Sequence, residues 1–439
     1  MVDLVRAGCL IIVVGLHAFM AGITVDAGQL SVSDATHGQP WFAALTWLVQ
    51  IMPLFFLVGG FASITHWRRL RSRGASPSDY LRARLERLAR PAVITFAVIA
   101  AGFGLAMLLG VSGELLAQVG FRMGQPMWFL GVYLGVTALV PIMVRLHESA
   151  PKRTLAVLAG GAVVVDVLRF GTGIEAVGFL NLVFVWLAVQ QLGFGYADGW
   201  FRRIDRRQLP AAVIGSLLVL IMVVGYAGYS PNLIDNLNPP TCCLLLLGVV
   251  QGLLLTLAAP ALERLTHRPT IRTLVDAIND RAMTIYLWHM SVLVTIALII
   301  LAAGLPFPEP LSAGWWFTRG FWLLAIAVGM IIAARALGRF ERGRPTPGGR
   351  TNRPTHPAHP LRQAQDGPST GSGNETSRRG RLGALPIMIA AVLLAIVAVG
   401  TVLIAGFSLL SAALATLGLA VALRLARGTR PRRMITAAA

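Results

Sequence analysis

Charge is what this chain has least of. Only 13% of its 439 residues are Asp, Glu, Lys or Arg, against roughly a quarter in soluble domains. With 56% hydrophobic residues and a mean hydropathy of +0.70, the shortfall excludes an ordinary water-soluble enzyme and a disordered chain. Cysteine is scarce as well. Cys9, Cys242 and Cys243 lie in apolar runs, without a disulfide framework or metal-ligand spacing, so no metal is expected. Acidic residues number 19 against 38 Lys+Arg, nearly all arginine, for a net charge of +19. In a soluble protein that excess would suggest nucleic acid. Here the arginines sit between apolar runs, where loops meet a charged leaflet. The expected partner is therefore a lipid bilayer and not nucleic acid. The first apolar segment lacks a small-residue cleavage site and is read as a retained helix.

A spanning helix needs about 20 apolar residues. Ten such stretches fill the first 342 residues, at about 4–24, 42–66, 88–110, 127–146, 154–169, 178–197, 210–228, 241–259, 282–304 and 315–337. The expected fold class is all-α: a polytopic membrane protein with a ten-span core. Alternate linkers carry the arginines. The one after the second stretch holds Arg68, Arg69, Arg71, Arg73, Arg82, Arg84, Arg87 and Arg90, whereas the facing linkers hold little beyond Arg122 and Arg169. The positive-inside rule makes the basic side cytoplasmic, which places both termini in the cytoplasm of a plasma-membrane protein. Residues 343–383 are rich in Pro, Gly, Ser and Thr and are expected to form a disordered cytoplasmic linker. The apolar tract that follows would be about 60 Å long as one helix, twice a bilayer. Arginines flank it on both sides, so a two-helix transmembrane hairpin over 384–426, turning near Gly406–Ser408, fits best, with a basic cytoplasmic tail at 427–439. It has almost no polar side chain. Removal of 343–439 should therefore leave a folded, active core.

Arg6 and His17 carry the sharpest chemical signal. Eleven residues make three helical turns plus roughly 20°, so both lie on one face, about 16 Å apart. Arg6 would sit at the basic surface and His17 deep in the membrane, where an ionisable group marks a functional site by default. Four more features follow in order: Pro53-Leu54-Phe55-Phe56 leading to Gly59-Gly60-Phe61, then Arg84-x-x-Arg87, then Trp128-Phe129-Leu130, and Tyr286-Leu287-x-His289. Tyr286 and His289 are three apart and share a helix face.

Taken in this order and spacing, these motifs resemble the acyltransferase-3 family of integral membrane proteins, over the whole ten-span core. Gly59-Gly60-Phe61 stands where the family usually has Ser-Gly-Phe. No fused hydrolase-like domain, which some members carry, is expected. The resemblance implies acyl transfer from cytoplasmic acyl-CoA, the co-substrate, to a hydroxyl acceptor, on a cell-envelope carbohydrate, lipid-linked sugar or natural product. It makes His17 and Arg6 the catalytic pair. A neutral imidazole is the base best matched to a hydroxyl near pH 7, and Arg6 would hold a CoA phosphate or orient the thioester. Arg69, Arg84 and Arg87 would bind the phosphates, as guanidinium forks suit them.

Other polar groups lie inside the apolar stretches. Asp166 and Arg169, three apart, are expected to pair, since each is costly alone. With Trp128, Tyr286 and His289 they are candidate substrate-cavity residues. Asn181, Gln190 and Gln191 are either acceptor-side lining or helix–helix hydrogen bonds. Glu114, Glu175 and Asp235 are expected to be solvated. The rival function is a transporter or flippase. Transporters usually show related halves, and the His-bearing first span has no counterpart at the sixth.

Overall fold

The computed structural model describes residues 1–26, 29–338 and 373–429. The expected linker lies outside the described residues up to 372, as does the basic tail from 430; residues 373–383, expected to be disordered, belong to the first turns of α15. In chain order the elements are α1 (Val2–Met20), β1 (Ala21–Asp26), β2 (Gln29–Asp34), α2 (Pro40–Val49), α3 (Met52–Ser72), α4 (Pro77–Leu108), α5 (Gly113–Gly124), α6 (Met127–Ala138), α7 (Val140–Ser149), α8 (Pro151–Thr172), α9 (Asn181–Ala197), α10 (Leu209–Tyr226), α11 (Cys242–Thr266), α12 (Pro269–Asn279), α13 (Ala282–Ala302), α14 (Ala313–Leu337), α15 (Gly373–Ala405) and α16 (Leu409–Gly428). Among the described residues, eleven helical segments are long and apolar enough to cross a membrane. The pair Gly113–Ala138 and Val140–Ser149, bent by 52°, is long and apolar enough only when its two parts are taken together. The protein is an all-α polytopic membrane protein. One small antiparallel hairpin, β1 with β2, follows α1.

Where a span breaks, side chains take over the backbone bonds, as an apolar medium demands. The second apolar stretch is two helices, α2 and α3, parted at Gln50–Ile51. Pro53, at the start of α3, needs no N–H partner there. Gln251 donates to Gln50 O (2.7 Å), the Gln50 amide donates to Leu233 O (3.0 Å), and its Oε1 accepts from Met52 N. On the arginine-rich side, Ser76 and Asp79 form a capping box that starts α4. Two of the linker arginines tie helices together. Arg68 bridges Asp198 (2.6 Å) and Glu148 (3.1 Å), and Arg71 pairs with Glu148 (2.8 Å). The Arg68 guanidinium donating to Asp198 holds that carboxyl below the usual carboxylate range.

Helix α3 lies against α9 along glycines. A Cβ on Gly60 would meet Gln190 O at 2.5 Å, and one on Gly193 would strike Leu57 O. Gly59, one residue earlier, faces space: a Cβ there would meet only the Tyr133 ring, at 3.7 Å. The adjacent glycines therefore have different reasons to be small.

The C-terminal hairpin turns at Gly406, in the left-handed region at φ 68°, and Ser408 caps α16. It is built into the bundle. Ala412, Ala415, Leu419, Ala422 and Ala426 of α16 are buried in one cluster with Leu85, Ala89, Ala92 and Phe96 of α4. Met388, Ala395, Val399 and Val402 of α15 join the same cluster with Leu130 and Leu134 of α6. The Phe407 amide donates to Gly120 O (2.8 Å) on α5. Arg82 donates to Ala426 O and Thr429 O, capping the end of α16. The expectation of a separable hairpin overlooked this small-residue packing, which bare alanines in a sequence do not announce.

Two outcomes are expected. Deletion of 384–439 should strip the outer face of α4 and sharply lower folded yield and melting temperature in detergent; a core of unchanged stability would show that the contacts are superficial. Gly60→Ser should destabilise by about 1–3 kcal/mol, the usual range for overpacking, whereas Gly59→Ser should be tolerated. Thermal unfolding of the two variants side by side checks the ordering.

Candidate active site

One face of α1 forms a wall. Arg6, Cys9, Leu10, Val13, His17 and Met20 recur at helical spacing and line a cavity of about 460 Å³. Its other walls are α3 (Met52, Phe55, Gly59, Ser63, His66), α4 (Arg84, Arg87, Leu88), α6 (Trp128, Phe129, Tyr133) and α13 (Met283, Tyr286). The volume lies within the range of small-molecule sites. Its character changes along its length. Arg6, His66, Arg84, Arg87 and Asn279 gather at the arginine-rich end. The middle is aromatic: Phe129 stacks on Tyr133 (5.3 Å between ring centres) and meets Phe55 and Tyr286 edge-on at 5.1 Å each. Trp128 lines the same wall and stacks on Trp186 (5.8 Å). His17 and Gln50 lie at the far end.

The Arg84 guanidinium lies 5.2 Å over the Tyr80 ring, and its buried Nε has no hydrogen-bond partner. Arg6 has one distant carboxylate, Asp3 at 3.7 Å. Such weakly satisfied guanidinium groups on a cavity wall favour an anion.

A second cavity, about 300 Å³, lies beyond His17. Its walls are mostly apolar: Leu115 and Val119 of α5, Leu293, Val294, Leu298 and Leu301 of α13, and Phe307. Its polar groups are Ser33, Asp34, Arg122 and Gln125. Leu298 and Leu301 are also exposed on the outside of the molecule, so this cavity reaches the apolar surface of the bundle. His17, Met20 and Ile234 belong to both cavities. His17 thus stands where the two meet.

The imidazole is held in one tautomer. His17 Nδ1 is 2.8 Å from Val13 O, one turn back on its own helix. A carbonyl only accepts, so Nδ1 carries the proton and Nε2 keeps its lone pair. The end of α1 is held from α14. Trp322 Nε1 donates to Ala18 O (2.8 Å), and Arg319 donates to Ala18 O and Ala21 O (3.3 Å each) while resting 3.8 Å over the Trp315 ring.

Of the residues singled out in the sequence, Arg6, His17, Arg84, Arg87, Trp128 and Tyr286 line one cavity. His289 lines neither, yet its ring centre is 5.0 Å from that of His17. Arg69 is exposed, one helical turn past His66, outside both cavities. Asp166 and Arg169 are a correction on two counts. Neither lines either of these two cavities, and they do not pair. Asp166, 1% exposed, accepts from Asn181 Nδ2 (2.8 Å), Tyr229 OH (2.9 Å) and the Cys242 amide (2.8 Å). It caps the start of α11, where a carboxylate suits the helix dipole. Arg169 instead reaches Glu175 (2.6 Å), which the turn at Gly173 brings back alongside. Gln190 and Gln191 donate to Val136 O and Met143 O of neighbouring helices, so these amides serve packing. Gln50, His66, Asn279 and the α14 grip on α1 were missed. Only the helical spacing of His66 with Ser63 and Gly59 could have pointed to one of them.

The profile of the acyltransferase-3 family, described as an acyltransferase domain, matches residues 2–334. Comparison with curated proteins and with solved structures gave no match. The family match takes in α1 to α14 almost entirely and stops short of the C-terminal hairpin. The cavity walls, the two arginine-bearing rims and His17 all fall within the matched stretch, and the chain belongs to the acyltransferase-3 family of membrane acyltransferases.

Proposed function

We propose that the protein moves an acyl group from acyl-CoA, held in the larger cavity, to a hydroxyl presented in the smaller one, with His17 as the base. The observation that carries this reading is that, among the described residues, His17 alone of the titratable side chains borders both cavities. The arginine-rich end of the larger cavity suits the CoA phosphates, which Arg6, Arg84 and Arg87 would hold. The aromatic middle suits an uncharged arm and its thioester. Arg69 stands outside this cradle. By the positive-inside argument the donor side is cytoplasmic, with both termini on that side of the plasma membrane.

The chemistry follows from the tautomer. The bare Nε2 of His17 takes the proton of the acceptor hydroxyl as its oxygen attacks the thioester carbonyl. Direct transfer needs one such step; an acyl-histidine intermediate would need the same lone pair as nucleophile. The smaller cavity, apolar with Arg122, Asp34 and Gln125 on its wall, suits a hydroxyl compound with an apolar part. A lipid-linked sugar of the cell envelope and a hydrophobic natural product both fit that description.

The test uses three variants at matched membrane expression. His17→Ala should cut the chemical step by roughly 10²–10⁴-fold, the worth of a positioned acid–base group, with acyl-CoA affinity retained. His17→Gln should be equally impaired, since an amide cannot take a proton. Arg6→Ala should chiefly weaken acyl-CoA binding. Near-normal turnover in His17→Gln would remove the assignment, and solute transport persisting in that variant would favour a transporter.

A further inference from the structure

Two histidines meet behind the junction of the cavities, and their hydrogen bonds leave an unanswered acceptor. The His17 and His289 ring centres are 5.0 Å apart, with planes inclined at 64°. His289 Nδ1 lies 2.5 Å from Tyr286 O, one turn back on α13, as His17 Nδ1 lies beside Val13 O. Both Nδ1 atoms therefore carry protons, and both rings keep their lone pairs on Nε2. His289 is 1% exposed, and its Nε2 has no partner. An orphaned nitrogen at this depth asks for a donor that the resting protein does not supply.

A base that accepts a proton in an apolar site becomes a buried cation and needs a group to share the charge. In serine hydrolases a carboxylate on the far ring nitrogen does this. Here the far nitrogen of His17 is committed to Val13 O, and among the described residues no carboxylate hydrogen-bonds to either ring. The charged groups nearest the pair are Asp34 and Arg122, which line the smaller cavity with His17, and Arg319. Asp34 borders the smaller cavity with His17 but spends Oδ1 on Thr36. Arg319 grips the Ala18 carbonyl, one residue on from His17.

We propose that His289 is the proton-sharing partner of His17. This rests on His17 being the base. The acceptor O–H bond breaks as its oxygen bonds the acyl carbon, and the proton goes to His17 Nε2. The new N–H then swings from the acceptor oxygen to His289 Nε2, a bond the resting geometry does not contain, so the charge spreads over two rings. When the C–S bond breaks, its electron pair stays on sulfur. The thiolate then takes the proton from the pair, and both imidazoles return to neutral. His289 borders neither cavity, so it acts through His17 as a positioning residue. Its place is fixed by the same turn of α13 that anchors Tyr286 OH to Pro126 O (2.7 Å).

The test compares wild type, His289→Phe and His289→Gln in nanodiscs, with acetyl-CoA as donor and water as the acceptor hydroxyl. His289→Phe should lower kcat by about 10–100-fold, the scale seen for hydrogen-bond partners of metal-ligating histidines, with KM for acetyl-CoA unchanged. His289→Gln keeps a carbonyl acceptor and should recover much of that loss. Rates in H2O–D2O mixtures should curve for wild type, where two shared protons contribute, and become linear for His289→Phe. A merely structural role would lower the folded fraction while leaving kcat per folded molecule and the isotope curve unchanged, and that result overturns the proposal. A readout independent of activity is 15N NMR of histidine-labelled protein during acidification. The Nε2 signals of the two rings should move together as one proton is taken up; independent titration overturns the pairing. Coupled titration without acetyl-CoA turnover would leave the pair standing and overturn the acyl-CoA reading instead.

Discussion

A polar group inside an apolar bundle must find its partner within the protein, and that one constraint shapes every irregular point of this structure. At Gln50 the second span breaks, and Gln251 and Leu233 take up the loose ends. At Met20 the first span stops, and Trp322 and Arg319 bind the carbonyls left behind. At Cys242 a new helix starts, and Asp166 from another helix caps it. The first two of these repairs stand beside His17 and the walls near it. The break at Gln50 and the loop carrying Ile234 and Leu237 both reach the larger cavity. Irregular backbone in a membrane protein is tolerated where it is buried in protein or lines a cavity, and here it does both.

The same constraint selects the chemistry open to His17. On a helix, an imidazole can satisfy one nitrogen on the carbonyl a turn back, and this leaves the other as a lone pair facing the cavities. The apolar surroundings oppose a lasting positive charge. A neutral imidazole with its Nε2 unprotonated follows from the fold without a dedicated carboxylate beside it. Arg6 stands about 16 Å away along α1, where it can hold an anion without sitting against the imidazole. The proposed donor, with phosphates at one end and a thioester at the other, would match this separation of arginine from imidazole along one helix.

The sequence exposed what is periodic and hid what is not. Arg6 and His17 could be placed on one face because a helix repeats every 3.6 residues. Span positions followed from length and hydropathy. The same arithmetic misled at Asp166 and Arg169. Adjacency on a helix makes contact possible, but Asp166 found its partners on α9, α11 and the Tyr229 loop, 15 to 76 residues away. Tyr286 and His289 share a helix face, yet one lines the cavity and the other stands behind it, because residues three apart differ by about 60° around the axis. The break at Gln50 lay inside an unbroken apolar run, and the residues that permit it are 183 and 201 positions away. The first apolar stretch is expected to run to about residue 24, whereas α1 ends at Met20 and the chain turns into β1.

Gly59 and Gly60 show how a departure from a family pattern can be read physically. Gly60 is small because α9 presses on it: Gln190 O stands where its Cβ would be. That position has no freedom, and it is the one that keeps the usual residue. Gly59 is small without any such pressure, since a side chain there would project into the larger cavity beside Tyr133. The residue that differs is therefore the one with room to differ, and it differs by removing a hydroxyl from a cavity wall. The packing of α3 on α9 is preserved while the cavity gains space and loses a hydrogen-bonding group. Change at this position acts on what the cavity can hold, not on whether the helices meet.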